Sequence, residues 1–210
     1  MLALALLGGP LLAGEAAVLD SGQPGPRVLV VGGIHGNEPS GALAANLLAQ
    51  GPRPRRGRLT VLAEANPEAL RAGERSAPRP GAQDLNRVFP GGTDGPDARR
   101  AAEVFALTRD ADLVLDLHEE GPLWPEPDLA TLVVSPPAAG FAMDLLETLE
   151  GRGGRFAFTG GAPEGSLVGE LGKRARQALV VEVPARLPSA RRIQLHLLVV
   201  QAALDQLGMR

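Results

Sequence analysis

The run Val28-Leu29-Val30-Val31-Gly32-Gly33-Ile34-His35-Gly36-Asn37-Glu38-Pro39 constrains this chain more than any other feature: an apolar strand breaks, at its carboxyl end, into His-x-x-Glu. Two later runs share the design. Residues 113–117 read as an apolar strand that ends at His118, and residues 179–183 as one that contains Glu182. Helical stretches are expected at 40–50, 97–108, 138–150 and 167–176, and Ser189 is placed to cap a long final helix. Further strands are expected at 59–63 and 131–134, whereas residues 66–95, punctuated by Gly and Pro, read mostly as loop. Strands interleaved with helices define an α/β chain, with a mostly parallel or mixed central sheet carrying helices on both faces. At 210 residues one domain, 1–210, with a single full core is expected.

Composition removes several classes of function. A formal charge of −3 gives no electrostatic reason to expect a nucleic-acid partner. The one basic cluster, Arg53, Arg55, Arg56 and Arg58, lies among Gly and Pro between a helix and a strand and reads as a solvated connector. Without cysteine there is neither a disulfide framework nor a thiolate metal site, which is compatible with a cytoplasmic protein. The apolar residues 1–12 lack a basic flank and are too short to span a bilayer. They read as a first strand or a misassigned start, with a poor signal peptide as the other reading, and no membrane span is expected elsewhere. With no tyrosine and a single tryptophan, Trp124, the core must be built from Leu, Val and Ala.

Function is read from where the chemical residues fall. His35, Glu38, His118 and Glu182 all lie at or near the carboxyl ends of expected strands, the edge at which open α/β sheets bind ligands. An imidazole and a carboxylate three residues apart can bite one ion from one side, and His118 brings a third ligand from another strand. Three nitrogen and oxygen ligands with an open fourth position are the pattern of catalytic zinc, which brings the pKa of water down to about 7. One Zn2+ per chain and metal-assisted hydrolysis are therefore expected; the same donors also admit cobalt, manganese or nickel. The other reading is that His35 and Glu38 only hydrogen-bond the turn before a helix. Gly32-Gly33-x-x-Gly36 is not a dinucleotide fingerprint, because its spacing is wrong and His and Glu stand where a pyrophosphate needs bare backbone. Ser166 lacks a Gly-x-Ser-x-Gly elbow and reads as a helix N-cap. His196, in the final helix, reads as a core or surface histidine.

Asp84-Leu85-Asn86-Arg87-Val88-Phe89-Pro90-Gly91 is the second motif. An arginine fork beside an amide suits a substrate carboxylate, or it steadies its own loop. Glu182, inside an apolar run, is partly desolvated, which raises its pKa towards the range useful for general acid–base work. Its alternative is a buried structural glutamate paired to an arginine. The Gly-rich residues 160–165 are either a lid or simply a turn.

Taken in order, His35-Gly36-Asn37-Glu38-Pro39, Asn66-Pro67, Asp84 to Gly91 and Asp116-Leu117-His118 resemble the zinc carboxypeptidase superfamily, in its succinylglutamate desuccinylase/aspartoacylase branch. The resemblance runs over residues 28–183 and implies a zinc-exopeptidase-like fold. It implies that His35, Glu38 and His118 are the zinc ligands and that Asn86 and Arg87 hold the substrate carboxylate. Asp84 matches the carboxylate that hydrogen-bonds a zinc histidine and fixes its tautomer. Glu182 matches the glutamate that activates water and then protonates the leaving amine. Arg79 is in register with the arginine that polarises the scissile carbonyl, and Arg75 is its rival because this loop varies. Two departures stand out: the C-terminal β domain of aspartoacylases is expected to be absent, and there is no tyrosine to supply a phenol contact. The expected activity is deacylation of N-acyl amino acids or similar small carboxylate-bearing amides. A metallocarboxypeptidase or peptide amidase acting on short or cell-wall peptides is the alternative, and a catalytically silent metal- or ligand-binding module the third reading.

Overall fold

The computed structural model describes residues 14–120 and 129–210, so the expectations for residues 1–12 and for Trp124 lie outside the described residues. Seven described strands form one mixed sheet: β1 (Ala16–Asp20), β2 (Arg27–Gly32), β3 (Arg58–Leu62), β4 (Leu113–Glu120), β5 (Ala130–Val134), β6 (Phe156–Thr159) and β7 (Ala178–Pro184). Their spatial order is β1-β3-β2-β4-β7-β5-β6. The strands β3, β2, β4 and β7 run parallel. At one margin β1 lies antiparallel to β3; at the other β5 is antiparallel to β7, with β6 parallel to β5. The helices are α1 (Pro39–Ala49), α2 (Pro67–Ala72), α3 (Pro96–Leu107), α4 (Ala139–Gly151), α5 (Leu167–Lys173) and α6 (Ser189–Gln206).

Helices cover both faces, giving three layers. Leu113, Leu115 and Leu117 of β4 point into a core shared with α1, α4 and α6. Val114 points the other way, into a core with α3 and α5, as the period of two requires. β2 and β7 are buried almost throughout, the condition under which parallel strands are apolar along their whole length. The mixed sheet with helices on both faces is the one expected from the sequence. Among the described residues no helix is long and apolar enough to cross a membrane.

Proline and short polar caps set where helices begin. Pro39, Pro67 and Pro96 each stand in a first turn, where a missing N–H costs nothing. Asn66 Oδ1 accepts from Ala69 N at 3.2 Å, and Ser166 Oγ from Gly169 N at 3.1 Å, so Ser166 is a helix cap as its context implied. Ser189 differs from expectation: Pro188 holds the cap position of α6 and Ser189 is the first helical residue. Residues 66–95 contain α2 and a 3-10 turn at Leu85–Arg87 in addition to loop.

Register places the site. Gly32 of β2 lies beside Leu117 of β4, and His118 of β4 lies beside Glu182 of β7. The chain leaving β2 therefore carries His35 and Glu38 over the carboxyl ends of two strands that already hold His118 and Glu182.

Candidate metal centre

The loop after β2 is held before any side chain is considered. Ala65 N donates to Gly32 O and Asn66 N to Gly33 O, each at 2.9 Å, lacing this loop to the one that follows β3. Gly36 lies so close to α2 that a Cβ there would come within 1.9 Å of the Ala69 carbonyl oxygen. Only glycine allows His35 and Glu38 to sit at this depth.

On that base three side chains converge. His35 Nδ1 lies 2.8 Å from Glu38 Oε1, and His118 Nδ1 lies 2.8 Å from Glu38 Oε2. All three residues are buried, and their potential ligand atoms lie within 4.8 Å of one another, a group that could bind a metal. Each histidine turns its other nitrogen to an aspartate. His35 Nε2 is 3.0 Å from Asp84 Oδ1. His118 Nε2 is 3.1 Å from Asp116 Oδ2, an electrostatic contact rather than a directed hydrogen bond, since neither oxygen of Asp116 has a hydrogen-bond donor.

The donor set fits a divalent cation. Glu38, Asp84 and Asp116 surround two imidazoles, and an aspartate behind each ring favours the tautomer that leaves Nδ1 free to ligate. Without a cation the site draws protons instead. Burial opposes charge on His118, yet Asp116 and Glu38 push its pKa well above the usual value. Burial likewise opposes charge on Glu38, but hydrogen bonds with His118 and His35 hold it down at about 2. For Asp84 the same opposition is overcome by His35, then Arg75, and its carboxyl stays well below the usual range. The cluster is thus a negative cage that asks for positive charge.

Around the cage lies a cleft of about 300 Å³. Glu182 lines it and is largely buried, with Oε2 lacking any partner; burial pushes its pKa up to about 7, with Glu120 and Glu38 adding to the rise against the opposing pull of His118. Arg87 reaches the cleft with its side chain steadied by a 2.7 Å bond from Nη1 to Asn86 O. Asn86 also lines it, with Oδ1 accepting from Leu167 N at 2.9 Å and Nδ2 3.5 Å from His118 Nε2. Asp84 accepts from Asn86 N at 2.8 Å and so binds this motif to His35.

The two candidate arginines separate. Arg79 is not among the cleft residues; its guanidinium is committed to Glu68 and to the buried Asp97, which also accepts from Gln83 N. Arg75 is the one at the site, 3.4 Å from Glu38 Oε1 and 3.0 Å from Asp84 Oδ2. Sequence reasoning also passed over the contact of Asp116 with His118, although two residues apart on one strand means one face. His196 is fully buried in α6, with both ring nitrogens unpartnered. A larger hollow of about 770 Å³ lies at the far ends of α1 and α6, lined by Leu47, Leu204 and Met209 among others, and includes none of these residues.

The succinylglutamate desuccinylase/aspartoacylase catalytic domain model matches residues 24–195. An N-alpha-acetyl-L-2,4-diaminobutyric acid deacetylase from Halomonas elongata is 35% identical over 166 residues, covering 75% of this chain and 44% of the relative. Among solved structures, an aspartoacylase family protein from Mesorhizobium loti is 28% identical with a TM-score of 0.68, covering 89% of this chain and 59% of that one. The tripeptide-bound cell shape determinant Csd4 from Helicobacter pylori shares the fold at 19% identity and a TM-score of 0.78, covering 93% of this chain and 56% of its own. The chain spans about half the length of these relatives. On the matched residues 24–195, it belongs to the succinylglutamate desuccinylase/aspartoacylase catalytic-domain family.

Proposed function

We propose that this domain is a zinc-dependent amide hydrolase that deacylates N-acyl amino acids or similar small amides bearing a carboxylate. The observation that carries the reading is the convergence of His35, Glu38 and His118 beside Glu182, across one strand register, in one cleft. His35, Glu38 and His118 would hold the cation. When bound, it supplies a more acidic water and Lewis-acid stabilisation of the developing oxyanion. The deacetylase relative supports the substrate class, since it is a deacetylase of an N-acetylated amino acid.

The chain's own residues do the rest. Arg87, with the Asn86 amide beside it, grips the substrate carboxylate and fixes the distance from that carboxylate to the reacting amide. Glu182, with its pKa raised to about 7, takes a proton from the attacking water and returns it to the leaving amine. Arg75, whose guanidinium lies beside Glu38, faces the carbonyl oxygen in this reading as charge builds on it, while Arg79 secures the loop through Asp97. A short peptide is the second reading, favoured by the fold shared with the tripeptide-bound protein.

The test is mass-spectrometric detection of products from a mixed pool of N-acyl amino acids and short peptides, with and without a chelator. Chelator-sensitive loss of the N-acyl amino acids is expected. Loss of the peptides alone would replace the deacylase with a peptidase. No cleavage of either pool by metal-loaded protein would overturn the hydrolase reading in favour of a silent binding module.

A further inference from the structure

Glu38 occupies the N-cap of α1, the position from which a side chain ordinarily satisfies the free N–H groups of a first turn. It makes no such bond, because its carboxylate is turned to His35 and His118. The cap comes from another element. Ser40 N donates to Glu119 Oε1 at 2.6 Å, across 79 positions of sequence. Glu119 Oε2 is held by Arg192 Nη1 of α6, and the backbone N–H of Glu119 donates to Glu38 Oε2 at 3.0 Å. The Glu119 side chain is 1% exposed and that of Arg192 17%.

A carboxylate this buried is costly unless each oxygen is satisfied. Helix capping alone does not call for it: a serine, aspartate or asparagine at position 38 would cap α1 locally. Position 38 is instead given to a carboxylate that must face away from its own helix. A helix N-terminus with free N–H groups attracts negative charge, so the nearest competitor for the Glu38 carboxylate is the start of α1 itself. We propose that Glu119 is a positioning residue for Glu38: by capping α1 from β4 it takes up the Ser40 N–H and leaves the Glu38 carboxylate free to ligate. Arg192 holds the second oxygen of Glu119, so the first stays on Ser40. The inference rests on reading His35, Glu38 and His118 as a metal centre.

Zn2+ and Co2+ affinities, measured by competition with a chromophoric chelator, test this alongside the Co2+ visible spectrum and the unfolding midpoint of metal-free protein. The double variant Glu119→Gln/Arg192→Met keeps an acceptor oxygen for Ser40 without setting the new amide NH2 against a cation, and should bind both ions within about threefold of the wild type. The double variant Glu119→Met/Arg192→Met removes the acceptor and both charges. It should bind about 10–100-fold more weakly, the usual cost of losing a residue that orients a ligand, with an altered Co2+ spectrum. Unchanged affinity and spectrum in a folded Glu119→Met/Arg192→Met variant, whatever its midpoint, would overturn the proposal by reducing Glu119 to a structural role. If that variant does not unfold cooperatively, Glu119→Asp carries the test, since it keeps the charge opposite Arg192 but is one methylene short of Ser40. Weak binding by Glu119→Asp with near-normal binding by Glu119→Gln/Arg192→Met is expected; the reverse order would show that charge, not capping, matters. A wild type that binds neither ion would instead overturn the metal centre.

Discussion

At the scale of single residues, the cleft assigns different work to groups of the same type. Asp84 and Asp116 stand behind the histidines, while Glu182 faces the cleft with a partnerless oxygen and a pKa of about 7. Glu182→Gln keeps the shape and removes the proton acceptor. Turnover should fall by roughly two to four orders of magnitude, with bound metal, measured by elemental analysis, unchanged. The pH profile follows in sign. Glu182 acts as a base only when ionised, so kcat/KM should fall as pH drops through its pKa. A cation on the neighbouring ligands stabilises the carboxylate, which puts this acid limb at or below about 7. The two arginines give a second contrast. Arg75→Ala should lower kcat with little change in the unfolding midpoint. Arg79→Ala should leave kcat near the wild type but destabilise by about 1–3 kcal/mol, because Asp97 is left buried without its cation. Loss of kcat in Arg79→Ala alone would return the carbonyl-facing role to Arg79.

At the scale of elements, the site depends on how closely one loop can approach α2. A Cβ on Gly36 would overlap the Ala69 carbonyl, so Gly36→Ala must push the His35–Glu38 loop outward. Overpacking of this kind costs about 1–3 kcal/mol. Metal affinity should fall with it, and calorimetric titration with Zn2+ would show this; full affinity in a folded variant would mean that the loop is not pinned by α2. The same elements show what can be read in a sequence. The central strands β2, β4 and β7 were legible because burial on both faces gives each an apolar run, Val28–Val31, Leu113–Leu115 and Leu179–Val181, before its polar residues. The strands β1 and β6 were not anticipated, and they are the two edges of the sheet. Neither β1 nor β6 is buried throughout, and Phe158 of β6 is 40% exposed, so their apolar signal is weak. The helix α2 was lost in a Gly- and Pro-rich stretch, although Asn66-Pro67 is a cap followed by a first-turn proline. His35, Glu38 and His118 could be read as a set because each histidine ends an apolar run and Glu38 follows the first at a spacing of three. Which of Arg75 and Arg79 lies beside Glu38 could not, since both sit in the irregular stretch between α2 and Leu85, whose path is set by tertiary contacts.

At the scale of the whole molecule, two buried groups, His196 of α6 and Glu182 of β7, respond to pH in opposite senses. On the α1 and α6 side, His196 is fully buried without a partner, and burial pushes its pKa down to about 3, helped by the nearby charges of His118 and Arg192. In the unfolded chain it titrates near 6.5. Below that value the unfolded state takes up a proton that the fold refuses, so the stability His196 allows is complete above 6.5 and declines as pH falls towards 3. Glu182 behaves in the opposite sense. Its folded pKa of about 7 exceeds the unfolded 4.5, so its contribution is present below 4.5 and lost as pH rises towards 7. Between pH 5 and 6.5 the two slopes offset each other in metal-free protein. Replacing His196 with leucine, similar in volume and without titratable atoms, removes one slope. Relative to the wild type, His196→Leu should gain about 2 kcal/mol of stability on going from pH 7.5 to pH 5, read by urea unfolding at each pH. The difference between the two proteins isolates this residue, because every other titrating group is common to both. A constant offset at the two pH values would mean that His196 finds a proton-sharing partner within the fold. A stability gap that widens towards alkaline pH would mean that it is buried as the cation.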